Sequence, residues 1–498
     1  MDIFQNLIFG FSVALSLQNL LYCFIGCLLG TLIGVLPGIG PLATIAMLMP
    51  ITFNLPAVSA LIMLAGIFYG AQYGGSTTAI LVNLPGETSA VVTCIDGYQM
   101  ARQGRAGVAL AIAAWGSFFA GTFCTLLIAL FGPPIAEMAL KFNSPEYFSL
   151  MLMGLVAAAV LAQGDMVKSL AMVTLGLLLG SVGTDVDSGW ARFSFDIIEL
   201  TDGIGFVVVA IGVFAVGEIV SNLGEMEERV VFTSNVGTLF PTLADMKRSI
   251  GPIVRGTLLG AFFGVLPGTG PAIASFSSYM VEKKISKNPE EFGHGAIEGV
   301  AGPESANNAD AQCKFIPMLT LGIPASGTMA LMLGALMIHG IAPGPTVMTK
   351  NPDLFWGLIA SMWIGNLMLV LLNLPLIGLW VSLLKVPYRL LFPAIMVFSS
   401  IGIYSINNSP FDIYLTAVFG LVGFLWLKLG CPPAPLMLGF VLGPMMEENL
   451  RRAMLISRGD PMVFLTRPIS LGFVIATVLI VILMAAPAVR KRRGNITG

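Results

Sequence analysis

The chain has 498 residues, 56% of them hydrophobic and only 10% charged, with a net charge of −2 and a mean hydropathy of +0.88. Soluble domains carry roughly 25% charged residues, and apolar runs of membrane-spanning length, about 17 to 25 residues, recur here from end to end. That leaves an all-α polytopic membrane protein, and no stretch is basic and aromatic enough to contact nucleic acid.

Met1–Asn6 lacks a basic start and a small-residue cleavage site, so no signal peptide is expected and residues 1–18 read as a short amphipathic lead-in. A span follows from Leu20 to Leu36, with Gly26, Gly30 and Gly34 at four-residue spacing, a smooth face for close helix approach. It runs into Gly34-Val35-Leu36-Pro37-Gly38-Ile39-Gly40-Pro41, which a helix cannot cross intact, because proline lacks an N–H and glycine gives up conformational order. A half-length run, Leu42 to Met49, is closed by Pro50 and Pro56. The next run, Ala57 to Asn83, is predicted to break at Gly74-Gly75-Ser76-Thr77-Thr78 and ends at Leu84-Pro85-Gly86-Glu87. After a polar loop from Asp96 to Gly107, spans are predicted near 106–132, 146–162, 166–183 and 203–222, with an acidic loop from Gly183 to Gly203.

Past a polar connector, Gly224 to Ser249, the order returns. A span near 250–266 enters Gly264-Val265-Leu266-Pro267-Gly268-Thr269-Gly270-Pro271, the first motif shifted by 264 − 34 = 230 residues with Thr269 in place of Ile39. A short run reaches Val281 and a long polar insert covers Glu282 to Lys314. A second broken helix, Phe315 to His339, is interrupted at Gly322–Thr328, so that Ser76-Thr77-Thr78 pairs with Ser326-Gly327-Thr328, and Pro85-Gly86 with Pro343-Gly344. Spans near 353–384, 388–404, 411–429 and 434–447 complete the copy, and one unpaired span, 468–489, precedes Arg490-Lys491-Arg492-Arg493. Long-period repetition of this kind predicts two units: 1–223 with the lead-in, the connector 224–249, 250–455, and 456–498 as a C-terminal helix and basic tail. About 12 transmembrane helices are expected. Loop charge predicts that the units are inverted, since basic residues collect on the cytoplasmic side. The loop Ile51–Pro56 carries none whereas its counterpart carries Lys283, Lys284 and Lys287, and the bias reverses after the broken helix, where Arg102 and Arg105 face Lys350 alone. Arg451, Arg452, Arg458 and Arg467 run against this scheme.

Both Gly-Val-Leu-Pro-Gly-x-Gly-Pro motifs, the run Tyr69–Glu87 and the run Gly295–Ala309 resemble the large membrane subunit of tripartite tricarboxylate transporters over essentially the whole chain. The resemblance implies a multi-pass permease of the bacterial inner membrane, working with a small membrane subunit and a periplasmic solute-binding protein. It implies import of small di- or tricarboxylates driven by an ion gradient, Na⁺ or H⁺, with no cofactor. Gly302 and Asp310 depart from the alanines common in that family.

Helix breaks at membrane depth free N–H groups that favour a carboxylate and carbonyls that favour a cation. The candidate substrate-binding residues are therefore Gly38, Gly40, Gly268, Thr269 and Gly270, and Pro37, Gly74, Pro267 and Gly322 are candidates for the coupling ion; a tight bend without ligand is the competing reading. Ser76, Thr77, Thr78, Ser326 and Thr328 add hydroxyls at the breaks, although Ser and Thr also bond back to their own helix. Asn307 and Asn308 offer amides that donate and accept, or else lie in a hydrated loop. Glu87 and Glu298 are the nearest acids, functional if they lie within the membrane. Lys314 either attracts an anion or snorkels to the interface. His294 and His339 form no metal spacing, the six cysteines read as packing residues, and the scattered methionines as core. No P-loop is present, so the chain does not itself hydrolyse ATP. An anion channel is a rival reading. An intramembrane hydrolase using Ser326 and His339 is another, but these lie 13 residues apart, about 20 Å along a continuous helix.

Overall fold

The structure is a computed structural model describing residues 3–36, 40–162, 165–185, 188–223, 237–383 and 388–485. Pro37, Gly38 and Ile39 of the first motif, most of the connector and the basic tail lie outside them.

In chain order the helices are α1 (Ile3–Ala14), α2 (Leu17–Gly34), α3 (Pro41–Thr52), α4 (Ala57–Val82), α5 (Val91–Arg102), α6 (Ala106–Ala139), α7 (Ser144–Leu161) and α8 (Met166–Gly180). A two-stranded hairpin, β1 (Gly183–Thr184) and β2 (Ala191–Arg192), leads to α9 (Phe206–Ala210), which passes through a π-helical turn into α10 (Gly217–Leu223). Then come α11 (Leu243–Val265), α12 (Pro271–Ile285), α13 (Glu298–Cys313), α14 (Phe315–Leu321), α15 (Gly327–Ile338), α16 (Thr346–Lys350), α17 (Pro352–Asn373) and α18 (Ile377–Leu383). The last are α19 (Tyr388–Asn407), α20 (Pro410–Lys428), α21 (Pro433–Ile456), α22 (Val463–Thr466) and α23 (Pro468–Ala485). Among the described residues, α2, α4, α6, α7, α17 and α20 are long and apolar enough to cross a membrane. The outer faces of α20 and α23 expose Leu421 and Ile482, as lipid contact requires. The chain is an all-α polytopic membrane protein.

Glycine decides the innermost contacts. A Cβ on Gly26, Gly30 or Gly34 would lie 2.3 Å from the carbonyl oxygens of Met63, Ile67 and Ala71 respectively, so α2 runs parallel to α4 with backbones touching. The same thing happens 230 residues later. A Cβ on Gly256, Gly260 or Gly264 would meet the carbonyls of Gly302, Ala306 and Asp310 at 2.2, 2.2 and 2.5 Å, placing α11 parallel to α13. Gly260→Leu is therefore expected to cost ~3 kcal/mol or more, the upper end for overpacking, because backbone and not a side chain is in the way. Thermal unfolding in detergent reads this, and an unchanged melting temperature would contradict the packing.

The two pairs point in opposite directions. Ser76 on α4 meets Glu304 on α13, while four residues on in α4 Ile80 shares Gly97 with Val300, four residues back in α13. Helix α6 runs along α13 and α14, with Ser117 bonded to Asn308 and Gly132 beside Thr320. Helix α17 runs along α2, where the thiols of Cys23 and Cys27 point at the carbonyls of Ser361 and Gly365.

Charge sorts to the two ends. At one end Arg105 pairs with Asp245 at 2.6 Å, and Arg248 with Glu291 at 2.5 Å and Glu298 at 2.7 Å. There the guanidinium of Arg248 holds the exposed Glu291 carboxyl below its ordinary value. At the other end Arg451 reaches Asp185 and Glu447, Arg192 also reaches Glu447, and Arg467 pairs with the buried Glu146. Arg451, Arg192 and Arg467 are thus compensated locally by the acidic hairpin loop, α21 and the start of α7.

Four expectations need correction. Helix α4 is unbroken: Gly74 is there because a Cβ would lie 2.6 Å from the Thr31 carbonyl, Thr77 donates to the carbonyl four residues back, and the Ser76 and Thr78 hydroxyls have that carbonyl as their second, longer acceptor at 3.2 Å. The polar insert is not a loop throughout, since α13 is a helix buried from Gly299 to Cys313. Lys314 does not snorkel; it is 1% exposed and paired with Asp310. Helix α11 also begins inside the segment read as connector, at a Thr242–Asp245 capping box.

Candidate functional site

Two helices end in the same way. Helix α4 stops at Asn83 in the left-handed region (φ 56°), followed by Leu84-Pro85-Gly86-Glu87. Helix α14 stops at Gly322 (φ 71°), followed by Ile323-Pro324-Ala325-Ser326. A proline two residues after a left-handed cap cannot continue a helix. Gly322 stands 239 residues after Asn83 (322 − 83), the same offset that relates Gly302 to Met63 in the helix pairs above. The matching of Ser76-Thr77-Thr78 with Ser326-Gly327-Thr328 is thereby replaced: Glu87 takes the place of Ser326, and Pro324-Ala325, not Pro343-Gly344, answers Pro85-Gly86. Pro343 instead packs under the second tip, 2.9 Å from where a Cβ on Gly322 would lie.

Each tip is pinned by a glycine contact. At the first, a Cβ on Gly86 would lie 2.5 Å from Gly75 and 2.8 Å from the Gly34 carbonyl. At the second, the Ala325 carbonyl accepts the Gly268 N–H at 3.0 Å, and Gly268, at φ 80°, sits with its Cβ position 2.5 Å from Ala158. Pro267 precedes this contact and Gly322 carries the left-handed turn.

Beside the second tip, helix N-termini converge. Helix α3 starts at Gly40-Pro41 and α15 at Ser326-Gly327, each only 12 residues long. The Cβ position of Gly327 is 2.6 Å from Leu42 on the first turn of α3 and 3.1 Å from Ala434 on the first turn of α21. The first-turn N–H groups of a helix lack partners within it and carry partial positive charge. Gly40, and Gly270 at the start of α12, have open space where a Cβ would stand. A carboxylate can approach backbone at Gly270, and at Gly40 one already does, the N–H of Gly40 bonding the Glu218 side chain of α10.

Beside the first tip lies a buried polar seam. Glu87 accepts from Ser89 at 2.5 Å and from the Asn307 amide at 2.9 Å. One turn before Asn308, Glu304 accepts from Ser76 at 2.6 Å and from Thr93. Asn308 donates to Ser117 at 2.7 Å, and Tyr73 to Asn366 at 3.0 Å. The Asn307 and Asp310 side chains each keep an oxygen without partner, as does Asn373, and Gln72 leaves both amide atoms unmatched. Between α4, α6 and residues 373–377 a small cavity of ≈ 20 Å³ is lined by Tyr73, Ser76, Thr77, Ser117 and Asn373.

The structure thus brings Ser76, Asn307 and Asn308 into one seam, with Thr77 on the cavity beside it, while Gly40, Ser326 and Gly327 gather at the helix N-termini. Thr78 instead donates to the Val35 carbonyl at 2.8 Å, tying α4 to the end of α2. Thr269 points its hydroxyl at the carbonyls of Phe263 and Leu266, so its extra hydroxyl caps α11. Thr328 lies one turn-position inside α15 and is partly buried. Glu298 pairs with Arg248 at the charged end, away from both tips. Sequence reasoning passed over Thr93, Ser89, Tyr73 and Asn373. It underused Glu304, whose spacing from Asn308 puts both on one face of a helix.

A family model described as the tripartite tricarboxylate transporter TctA family matches residues 20–438. An uncharacterized 52.8 kDa protein in the TAR-I ttuC' 3' region of Agrobacterium vitis is 60% identical over 496 residues, covering 100% of this chain and 99% of that one. An uncharacterized protein in the TAR-II ttuC' 3' region of the same organism is 63% identical over 237 residues, 48% of this chain and 98% of its own length. No solved structure matches the chain. With its motifs, its paired tips and a match across most of its length, the chain belongs to the tripartite tricarboxylate transporter TctA family.

Proposed function

We propose that the chain is the permease of a gradient-driven importer of small carboxylates, lodged in a bacterial inner membrane. It works with a small membrane subunit and receives its di- or tricarboxylate from a periplasmic binding protein. The observation that carries this reading is the meeting of α3 and α15, two half-length helices beside a re-entrant tip, one whose N-terminal Gly40 already holds the Glu218 carboxylate and one capped by the Ser326 hydroxyl. Such a meeting suits a carboxylate at membrane depth. Two inverted repeats underlie it: α2 and α4 answer α11 and α13 at fixed offsets and in opposite directions, and alternating access follows from moving one unit against the other. Gly40, Gly270, Ser326 and Thr328 line the anion's approach, with Gly268 holding the second tip and Thr269 capping the helix before it.

The test is uptake of radiolabelled citrate, succinate and malate by membrane vesicles containing the complete complex, with and without the binding protein. Saturable accumulation that requires the binding protein is expected. Flux at single-channel rates without it would favour an anion channel and overturn this reading.

A further inference from the structure

The two tips are not chemically equal. At the first, Glu87 faces Asn307; at the second, the corresponding positions at the 239-residue offset are Ser326 and Phe68. Glu304 likewise corresponds to Ala65. The anion-binding side is not free of acids, since the Glu218 carboxylate on α10 bonds the Gly40 N–H there. The first tip, however, gathers Glu87 and Glu304 together, and among the described residues the hydrogen-bond partners of Glu304 carry no charge.

The charges around it are accounted for in turn. Asp96 accepts three backbone N–H bonds, from Gly293, Gly295 and Ala296 at 2.8, 2.8 and 2.9 Å, and the Tyr279 hydroxyl at 2.9 Å. Glu282 pairs with Arg255 at 2.6 Å and Asp310 with Lys314. Glu87, partly exposed at the tip, lies within electrostatic reach of both Lys314 and Glu304, and Glu304 in turn of Tyr73 and Cys94. Glu304 itself is 1% exposed and its hydrogen-bond partners are two neutral hydroxyls, from α4 and α5. An unpaired carboxylate in such a place is costly, and a bound proton removes the cost.

We infer that Glu304 carries the proton whose gradient drives carboxylate uptake, exchanging it with water in the adjacent cavity through the Ser76 hydroxyl. Ser76 lines that cavity and lies 2.6 Å from Glu304 and 3.2 Å from the Gln72 carbonyl. Its hydroxyl thus has two acceptors. With Glu304 ionised it donates to the carboxylate; with Glu304 protonated it turns to Gln72 and accepts the new O–H. Release reverses this: Glu304 passes its proton to Ser76 as Ser76 passes its own to water, and no other bond changes. The cavity has a second sign of water, since the buried Asn373 carbonyl oxygen on its wall has no protein donor.

This inference rests on the chain being a gradient-driven carboxylate importer, and the test separates the two. Vesicles containing the complete complex are assayed for citrate, succinate and malate in two modes: accumulation driven by a pH gradient, and counterflow exchange without any gradient. Glu304→Gln, which mimics the protonated acid, is expected to lose accumulation at least tenfold and keep counterflow within twofold. Glu304→Asp, which keeps a carboxyl, is expected to restore accumulation with a displaced pH profile. A pH dye should register proton entry on substrate addition in the parent protein and none in Glu304→Gln. The inference is overturned if Glu304→Gln accumulates normally, if it loses counterflow as well, if Glu304→Asp stays inactive, or if a Na⁺ gradient drives uptake at clamped pH. Absence of counterflow for every carboxylate in the parent protein would sink the importer itself.

Discussion

Gly40→Leu is expected to lower carboxylate uptake by at least a hundredfold while leaving the protein folded in the membrane at its normal level. The Cβ position of Gly40 is free of neighbours, so a leucine there is accommodated by the fold. On the function proposed above, what it fills is the space through which an anion reaches the first turn of α3. Gly268 makes the contrast. A Cβ there would lie 2.5 Å from Ala158, and the residue holds φ 80°, which only glycine adopts cheaply. Gly268→Ala should therefore lose folded protein as well as uptake. Uptake and detergent-solubilised yield, measured side by side, distinguish a blocked site from a broken scaffold. Normal uptake by a well-expressed Gly40→Leu protein would remove α3 from the anion's path.

The second large effect is structural. Asp96 is fully buried and gathers four donors from the opposite half of the chain, three of them backbone N–H groups of the Gly293–Ala296 turn. Asp96→Ala strands those donors, and the loss is expected to be about 3–5 kcal/mol, below the simple sum because such bonds are not additive. Asp96→Asn keeps one acceptor oxygen toward the three N–H groups but presents a donor to Tyr279, and about half the loss is expected. Thermal unfolding of the purified protein measures both, and equal melting temperatures for all three proteins would refute the clamp.

Much of this architecture can be read from the residue order, and the failures have physical causes. The Gly26-Gly30-Gly34 stripe and its copy at Gly256-Gly260-Gly264 are legible because close helix approach demands small residues at a fixed spacing. Gly74 and Gly75 were misleading for the same reason: glycine permits both a break and a contact, and only the partner helix tells which. Proline did not mislead at Pro85 and Pro324, where the lost N–H coincides with a left-handed cap. The buried seam was the least visible part. Its residues come from α4, the first tip, α5, α6, α13 and α17, and no spacing in the chain shows that Thr93 and Ser76 meet on Glu304.

Helix α13 has a consequence for how the protein is made. Its sequence, Glu298-Gly299-Val300-Ala301-Gly302-Pro303-Glu304-Ser305-Ala306-Asn307-Asn308-Ala309-Asp310-Ala311-Gln312-Cys313, is as polar as that of many water-soluble helices. A translocon that sorts segments by their affinity for lipid would not release it sideways into the bilayer. It can settle only among protein, against α4, α5 and α6, which are synthesised before it, and α11 and α12, which immediately precede it. Biogenesis therefore has an order written into it: the first half must already stand as a mould before the second half can be drawn in.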